Sequence, residues 1–131
     1  MADERRIPKR EKTDVTPLSF AQQRLWFLDQ IGTGSAYNIS LVIRLKGQLN
    51  IKALDESLHE IIRRHETLRT TFRSVGGDPV QVISENISFQ MPLIDLSGQP
   101  MTEREYEAER LAQEKSVRLF DLTKGPLFSV A

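Results

Sequence analysis

The sequence predicts an α/β fold of the α+β sandwich type, in which helices pack on a mixed sheet. Three observations support this fold class. Segments with a helical apolar period alternate with segments of period two, two adjacent glycines separate a pair of strand-like segments, and 131 residues are the length of one domain. The predicted order is helix, strand, helix, hairpin, strand, helix, strand.

The composition is that of an ordinary globular protein, with 39% hydrophobic and 27% charged residues. A chain of this length is able to bury roughly two-thirds of the surface of its unfolded form. The 18 basic and 18 acidic side chains balance, so we expect neither nucleic acid nor a membrane as partner. Without cysteine, disulfides, zinc–thiolate sites and thiol catalysis are excluded. No apolar run approaches the ~20 residues that span a bilayer, and no signal peptide is evident, which favours a cytoplasmic protein.

Residues 1–16 are predicted to be a charged linker that precedes a domain at 17–131, because they show neither a helical nor a strand period. The first helix is predicted over residues 20–31. Ser19 is its expected N-cap, and Gln22 completes a capping box. Apolar residues surround most of this helix, so we expect it to be buried between other elements.

Residues 37–45 alternate between apolar and other side chains and predict a strand. Asn50 is the expected cap of a second helix that runs to about His65. That helix carries one apolar stripe, formed by Leu54, Leu58, Ile61 and Ile62.

A hairpin is predicted from strands at residues 68–73 and 79–83, with Gly76-Gly77 in the connection. Two further strands are expected at residues 87–93 and 127–131. Thr102 and Glu105 predict a capping box for a third helix that runs to about residue 119. The residues expected to be buried from this part of the chain are Ala108, Leu111, Ala112 and Leu119.

The two histidines, His59 and His65, are six residues apart on one predicted helix and point about 240° apart, so they cannot share a metal. His59 is interpreted as a surface residue. His65 is either a helix-terminal residue that meets the helix dipole or a carboxylate, or a general base.

Four arginines form a positive cluster in the sequence: Arg63, Arg64, Arg69 and Arg73. Acidic neighbours such as Asp55, Glu60 and Glu66 are expected to neutralise them. The glycines lack the strand–glycine–helix context of a dinucleotide loop, and no serine lies in a nucleophile elbow. The chemistry of these residues alone assigns no activity, and the sequence is then described only as an α/β domain.

Two segments carry a resemblance to a known family. Residues 18–28, LSFAQQRLWFL, closely resemble the first core motif of nonribosomal peptide synthetase condensation domains, and residues 64–72, RHETLRTTF, closely resemble the second. Their order and separation also match, and phrases around Asn38 and Gly125 are typical of the same family. The resemblance covers about residues 17–131.

The resemblance implies a chloramphenicol-acetyltransferase-like fold of two similar lobes, of which this chain supplies part of the N-terminal lobe. It also implies amide-bond formation between an acyl or peptidyl thioester on an upstream carrier protein and an aminoacyl thioester on a downstream carrier protein. Phosphopantetheine arms of the carriers deliver both substrates. No directly bound cofactor and no metal are implied. The remaining partners are the rest of the condensation domain and of the synthetase.

In the family, the catalytic histidine belongs to a third motif, His-His-x-x-x-Asp-Gly. No His-His pair occurs in these 131 residues. We therefore expect no catalytic residue in this chain and no activity from the chain alone. The resemblance assigns Arg24, Arg64, His65 and Arg69 to a supporting role.

Two alternatives stay open at this point. The chain is a noncatalytic module that docks a carrier or a neighbouring domain, as a charged linker leading directly into the first motif suggests. Otherwise it is a fragment of a related carrier-dependent enzyme that esterifies an alcohol or epimerises a bound residue. The residues of the first two motifs favour amide formation.

Overall fold

The computed structural model describes residues 16–131. Within this range the elements are β1 (Thr16–Pro17), α1 (Phe20–Gln30), α2 (Ile51–Arg64), a 3-10 turn (Glu66–Arg69), β2 (Thr70–Val75), β3 (Asp78–Ile83) and α3 (Met101–Ser116). Thr16, expected in the linker, is the first residue of β1. The remainder of the predicted linker, residues 1–15, lies outside the described range. No helix found in residues 16–131 combines the length and the apolar character needed to cross a membrane.

The three strands form one antiparallel sheet in the order β1, β3, β2. The predicted hairpin is confirmed, but its turn is tighter than expected. Gly76 and Gly77 have φ values of +64° and +97°, and Val75 already pairs with Asp78. Positive φ at both central residues is typical of the two-residue turn whose twist matches the strands, so the strands extend to the glycines. Every strand pair among residues 16–131 is antiparallel. The parallel pairs of the predicted mixed sheet are therefore not found in this part of the chain.

The starts of the first two helices follow their predicted caps. The backbone N–H of Gln22 donates to Ser19 Oγ at 3.3 Å, and the Ser19 N–H donates to Gln22 Oε1 at 2.8 Å. The Ala53 N–H donates to Asn50 Oδ1 at 3.0 Å and caps α2. Each cap satisfies a backbone donor that has no partner inside its helix.

The third helix differs from its prediction at both ends. It begins at Met101, directly after Pro100, and no side chain caps it. Thr102 and Glu105 already lie inside the helix, so the predicted capping box is wrong. The helix ends at Ser116, three residues before the expected position. Leu111 is half-buried as expected, but Ala108 and Leu119 are exposed.

The predicted strands at residues 37–45, 87–93 and 127–131 are wrong, because the structure assigns no strand to any of them. A strand exists only where its backbone groups find a partner strand. The alternating sequence supplies the side-chain pattern of a strand, whereas the pairing has to come from another segment. No such segment is present beside residues 37–45 in the described part of the chain.

The core is small. Its buried apolar residues are Leu18, Ile62, Val80 and Phe89, and Thr70 is buried with them. The expected burial of α1 is wrong: Phe20 is 91% exposed and Phe27 is 64% exposed. Trp26 and Leu28 on the same helix are half-buried, so its burial is partial.

Candidate functional site

The two resemblance motifs border the same strand. Residues 18–28 run from the end of β1 through α1, and residues 64–72 run from the end of α2 through the 3-10 turn into β2. Gln81 of β3 lies between them and connects the first motif to the sheet. Its Nε2 donates to the carbonyl oxygen of Pro17 at 3.0 Å, and its Oε1 accepts from Gln22 Nε2 at 3.3 Å.

Arg69 joins the end of α2 to the end of β3. Its Nε donates to the carbonyl oxygen of Ile62 at 3.2 Å, its Nη2 donates to that of Arg63 at 3.4 Å, and its Nη1 donates to that of Ser84. The Ser84 N–H in turn donates to the Arg69 carbonyl at 3.0 Å. The last carbonyls of a helix have no partner within it, and a cation is favoured at that end. We call this set of bonds the Arg69 clamp.

The corner between α2 and β2 is closed by the 3-10 turn. Thr70, at 7% exposed, donates its hydroxyl to the carbonyl oxygen of Glu66 at 2.8 Å. The Leu68 N–H donates to the carbonyl oxygen of His65 at 3.0 Å. The second motif therefore contains the bonds that turn the chain from helix to sheet.

His65 follows the last residue of α2. Its backbone N–H donates to the carbonyl oxygen of Ile61 at 3.0 Å, and its side chain is exposed. No hydrogen bond or ion pair joins its imidazole to a residue in 16–131. This placement agrees with a helix-terminal role and brings no reacting group to the ring.

The other histidine, His59, lies on a different side of α2. Its Nδ1 is 2.9 Å from the carbonyl oxygen of Asp55 and 3.5 Å from the carboxylate of the same residue. Its ring meets the edge of Phe89, with 5.3 Å between the centroids, and Phe89 stacks on Phe128. His59 therefore helps to attach α2 to the segment after β3.

Glu60 neutralises two arginines of the positive cluster. It accepts hydrogen bonds from Arg63 Nε at 2.7 Å and from Arg64 Nε at 2.7 Å. These two hydrogen bonds, with that of Arg63 the stronger, lower the pKa of Glu60 to about 2. The carboxylate is therefore ionised at neutral pH, as the sequence pattern indicated.

The supporting residues expected from the sequence fall into two places. Arg64, His65 and Arg69 lie together at the α2–β2 corner, whereas Arg24 lies exposed on α1 and has no hydrogen-bond or salt-bridge partner among residues 16–131. Within residues 16–131 the structure thus gives polar partners to Arg64 and Arg69 and none to Arg24.

Asn38 and Arg44 hold residues 38–44 along α3, although the sequence predicted no role for either. Asn38 Nδ2 donates to the carbonyl oxygens of Ser116, the last residue of α3, at 3.2 Å and of Arg118 at 2.7 Å. Arg44 Nη1 lies 2.9 Å from Glu105 Oε1, near the start of the same helix. Asn38 belongs to a short segment typical of the family. Its hydrogen-bond partners are 78 and 80 residues away in the sequence, so no pattern of neighbouring residues predicts them.

A hollow of about 340 Å³ separates this segment from α3. Its lining residues are Val42, Arg44, Glu105, Ala108, Glu109, Ala112 and Gln113. A second, wider hollow lies along α2 beside Glu60 and Arg64. Both are open depressions between or along helices, and neither contains an imidazole.

The family model for the condensation domain matches residues 12–131. One of the linear gramicidin synthase proteins of Brevibacillus parabrevis is 53% identical over 112 residues, which are 85% of this chain and 2% of that protein. Cyclosporin synthetase simA of Tolypocladium inflatum is 44% identical over 126 residues, which are 95% of this chain and 1% of that protein. The chain therefore spans a very small part of the length of these relatives.

Solved structures show the same fold. The starter condensation domain of rhizomide synthetase RzmA aligns with a TM-score of 0.80 at 24% identity, over 89% of this chain and 28% of that one. The four-domain nonribosomal peptide synthetase AB3403, solved with AMP and glycine, aligns with a TM-score of 0.70 at 20% identity, over 95% of this chain and 9% of that one. The expected chloramphenicol-acetyltransferase-like fold class is confirmed by these neighbours. With two core motifs folded side by side on one sheet and a family match over residues 12–131, the chain belongs to the condensation domain family of nonribosomal peptide synthetases.

Proposed function

We propose that this chain is the N-terminal part of a condensation domain that forms amide bonds between an acyl or peptidyl thioester and an aminoacyl thioester. The observation that carries the proposal is the family match over residues 12–131, which includes both motifs in their expected order. The gramicidin and cyclosporin relatives are themselves a synthase and a synthetase, which fits this reaction class.

The proposed reaction needs positioning more than unusual chemistry. The amine nitrogen attacks the thioester carbonyl carbon, the carbon–sulfur bond breaks, the thiol leaves, and the amine gives up a proton. Because a thioester is already an activated acyl donor, catalysis consists mainly of bringing both reactants together and stabilising the oxyanion. Both reactants are proposed to arrive on phosphopantetheine arms of upstream and downstream carrier proteins.

In this scheme the residues of the second motif act as positioning residues. The Arg69 clamp holds α2 against β3, and Glu60 keeps Arg64 in place at the same corner. A guanidinium suits this role because it stays charged and donates in several fixed directions. No His-His pair occurs in the sequence, so we assign no catalytic residue to this chain.

The first test mixes the 131-residue chain with a donor carrier and an acceptor carrier, each loaded with an aminoacyl thioester. We expect dipeptidyl thioester, measured by intact-protein mass spectrometry, to stay at the level of a reaction without the chain. An active condensation domain on the same carriers is the positive control. Product well above background that disappears in His65→Ala would assign the base to His65 and contradict the statement that this chain holds no catalytic residue.

A noncatalytic docking role is the second candidate, and the charged residues before the first motif favour it. An NMR titration of the labelled chain with a loaded carrier separates the two. Chemical-shift changes confined to one surface, at carrier concentrations below about 1 mM, would support docking. Unchanged spectra throughout the titration would remove that candidate.

A further inference from the structure

We infer that Gln81 is a positioning residue that joins the two core motifs, although it lies outside both of them. Its side-chain amide connects the first motif to β3 through a directional chain of hydrogen bonds, which we call the amide relay. The members of the amide relay are Pro17, Ser19, Gln22 and Gln81. The relay itself rests on these contacts, whereas its consequence for amide formation rests on the proposed function.

Gln81 occupies the position on β3 where the two motifs approach each other. It pairs with Phe72, the last residue of the second motif, on one side and with Thr16 on the other. Side chains directly opposite each other in an antiparallel sheet lie on the same face. The half-buried amide of Gln81 is partly withdrawn from water there, and both of its partners, Pro17 and Gln22, come from the start of the first motif.

The two ends of the amide relay determine its direction. The carbonyl oxygen of Pro17 only accepts, so Gln81 turns its Nε2 towards it, at 3.0 Å. The Gln81 Oε1 then faces Gln22 and accepts from its Nε2 at 3.3 Å. This leaves Gln22 Oε1 to accept from the Ser19 N–H at 2.8 Å. Reversing either side-chain amide would place two donors or two acceptors against each other, so each amide has one orientation.

The amide relay holds the backbone on both sides of Leu18, the first residue of the first motif. Leu18 is 6% exposed and belongs to the core. The relay binds the carbonyl group before it, in Pro17, and the N–H group after it, in Ser19. Gln23 Nε2 donates to the carbonyl oxygen of Leu18 itself at 3.3 Å. Side-chain amides therefore set the direction in which α1 leaves the sheet, and one of them belongs to β3.

Space filling between α1 and β3 is the competing explanation for Gln81. That role depends on volume and tolerates a side chain of similar size, whereas the amide relay requires a donor and an acceptor at the end of one side chain. An amide and a protonated carboxyl group both meet this requirement. A carboxylate only accepts, and a methionine side chain has no N–H or O–H donor. The two explanations therefore predict different responses to pH.

The test measures hydrogen exchange by NMR in the 131-residue chain and its variants at pH 7 and at pH 4. Gln81→Glu removes the donor to Pro17 while the introduced carboxyl group is ionised and restores it when the group is protonated. Since only the neutral form completes the relay, folding should raise the pKa of this carboxyl group, and the relay is lost as the pH rises through that pKa. We expect the Ser19 and Gln23 amides to exchange about tenfold or more faster than in the parent at pH 7, and within about twofold of it at pH 4.

Two variants serve as controls for this measurement. Gln81→Met has a similar length and no donor, so exchange should be fast at both pH values. Gln90→Glu adds the same charge at an exposed glutamine that has no polar partner among residues 16–131, and exchange should stay within about twofold of the parent. The Leu54 N–H, which donates to the carbonyl oxygen of Asn50 in α2, reports whether a variant loses protection everywhere.

A second measurement tests the role in catalysis. It uses loaded donor and acceptor carriers with the complete condensation domain of which this chain is the proposed N-terminal part. We expect Gln81→Met to lower kcat by about tenfold or more, because a small displacement of supporting elements disturbs the alignment of the reactants. The KM for each carrier should change by less than about threefold, since the amide of Gln81 is bonded within the fold. Gln90→Glu should leave both constants unchanged.

Every outcome of the two measurements decides one part of the inference. Exchange in Gln81→Glu that equals the parent at pH 7, or that stays fast at pH 4, would reduce Gln81 to a space-filling residue. Exchange restored at pH 4 together with an unchanged kcat in Gln81→Met would leave the amide relay standing and overturn the positioning role. A parent domain that forms no amide bond would refute the proposed function and the positioning role with it, whereas the exchange data would still decide the relay.

Discussion

At the scale of single residues, Arg69 is the side chain with the most consequential contacts. It is half-buried and donates to three carbonyl oxygens, two at the end of α2 and one directly after β3. The sequence identified Arg69 as a supporting residue by resemblance and by the bonding capacity of a guanidinium. Its three partners come from residues 62, 63 and 84, and that combination required the folded chain.

Removing this guanidinium should destabilise the protein. Arg69→Gln leaves the carbonyls of Ile62 and Ser84 without their charged donor, which should lower the free energy of unfolding by about 1–3 kcal/mol. Urea unfolding followed by circular dichroism measures the change. Arg24→Gln is the matched control, because Arg24 is exposed and unpartnered among residues 16–131, and should stay within about 0.5 kcal/mol of the parent. Equal losses in both variants would argue against the Arg69 clamp.

Glu60 carries a pH dependence that is visible at the same scale. Its pKa is about 2, below the ordinary value of 4.5, mainly because Arg63 and then Arg64 donate to the carboxylate. A carboxyl group whose pKa is lowered by folding stabilises the folded state fully above its unfolded pKa. That contribution disappears as the pH falls from about 4.5 towards 2.

The corresponding measurement is an NMR titration of the Glu60 carboxyl carbon. We expect a midpoint near 2 in the parent and a midpoint closer to 4.5 when Arg63→Gln and Arg64→Gln are combined. High salt should move the parent value in the same direction, since these groups are exposed to solvent and screened by ions. An unchanged midpoint in the double variant would show that another group lowers the pKa.

At the scale of elements, local signals were sufficient for α1, α2 and the hairpin. Ser19 and Asn50 each place an oxygen where a helix leaves a backbone donor unpaired, and both form the predicted bond. Thr102 carries a similar sequence signal, yet α3 starts one residue before it. Pro100 occupies the N-cap position, and proline is tolerated at a helix start because its missing N–H has no helical partner there.

The hairpin turn offers a prediction at this scale. Gly77 has a φ of +97°, a conformation that side chains of L-residues rarely adopt, so Gly77→Ala should lower the free energy of unfolding by about 1–2 kcal/mol. Gly98→Ala is the control, since Gly98 has a negative or extended φ and an added methyl group would meet no atom within 4 Å. Urea denaturation gives both values. A loss in Gly98→Ala as large as that in Gly77→Ala would contradict the turn assignment.

Residues 37–45 show why strands were harder to predict than helices. Their alternation is correct for a strand, and Val42 and Arg44 do turn together towards α3. However, a helix satisfies its hydrogen bonds within one segment, whereas a strand requires a second one. The alternation in residues 37–45 predicts which side chains share a face. It does not predict whether a second strand is present to pair with the segment.

At the scale of the whole described chain, residues 16–131, the exposure of many large apolar side chains is the dominant property. Phe20 and Phe27 on α1 are exposed, and so are Leu41 and Ile43 between α1 and α2. Exposed apolar patches of large area mark interaction sites in folded proteins. The expectation that α1 is buried on most sides was wrong within residues 16–131, where Phe20 and Phe27 are exposed while Trp26 and Leu28 are half-buried.

This surface should be detectable with the dye ANS, whose fluorescence rises on exposed apolar groups. We expect strong enhancement with the folded chain at neutral pH, and a marked decrease when the remainder of a condensation domain is added. Near-ultraviolet circular dichroism of Trp26 serves as the control that the chain keeps its tertiary packing. Fluorescence no higher than that of a compact protein of the same size would contradict the exposed faces.

The sequence by itself determined the family, the helix caps, the hairpin and the two motifs, because each depends on residues close together in the chain or on the wording of a continuous segment. Only the tertiary structure decided that Arg69 bridges α2 and β3, that Asn38 holds the end of α3, and that residues 39–45 stay unpaired. These features depend on backbone groups far apart in the sequence. Backbone carbonyl and N–H groups are chemically the same in nearly every residue type. A pattern of side chains therefore does not identify the partner of such a group.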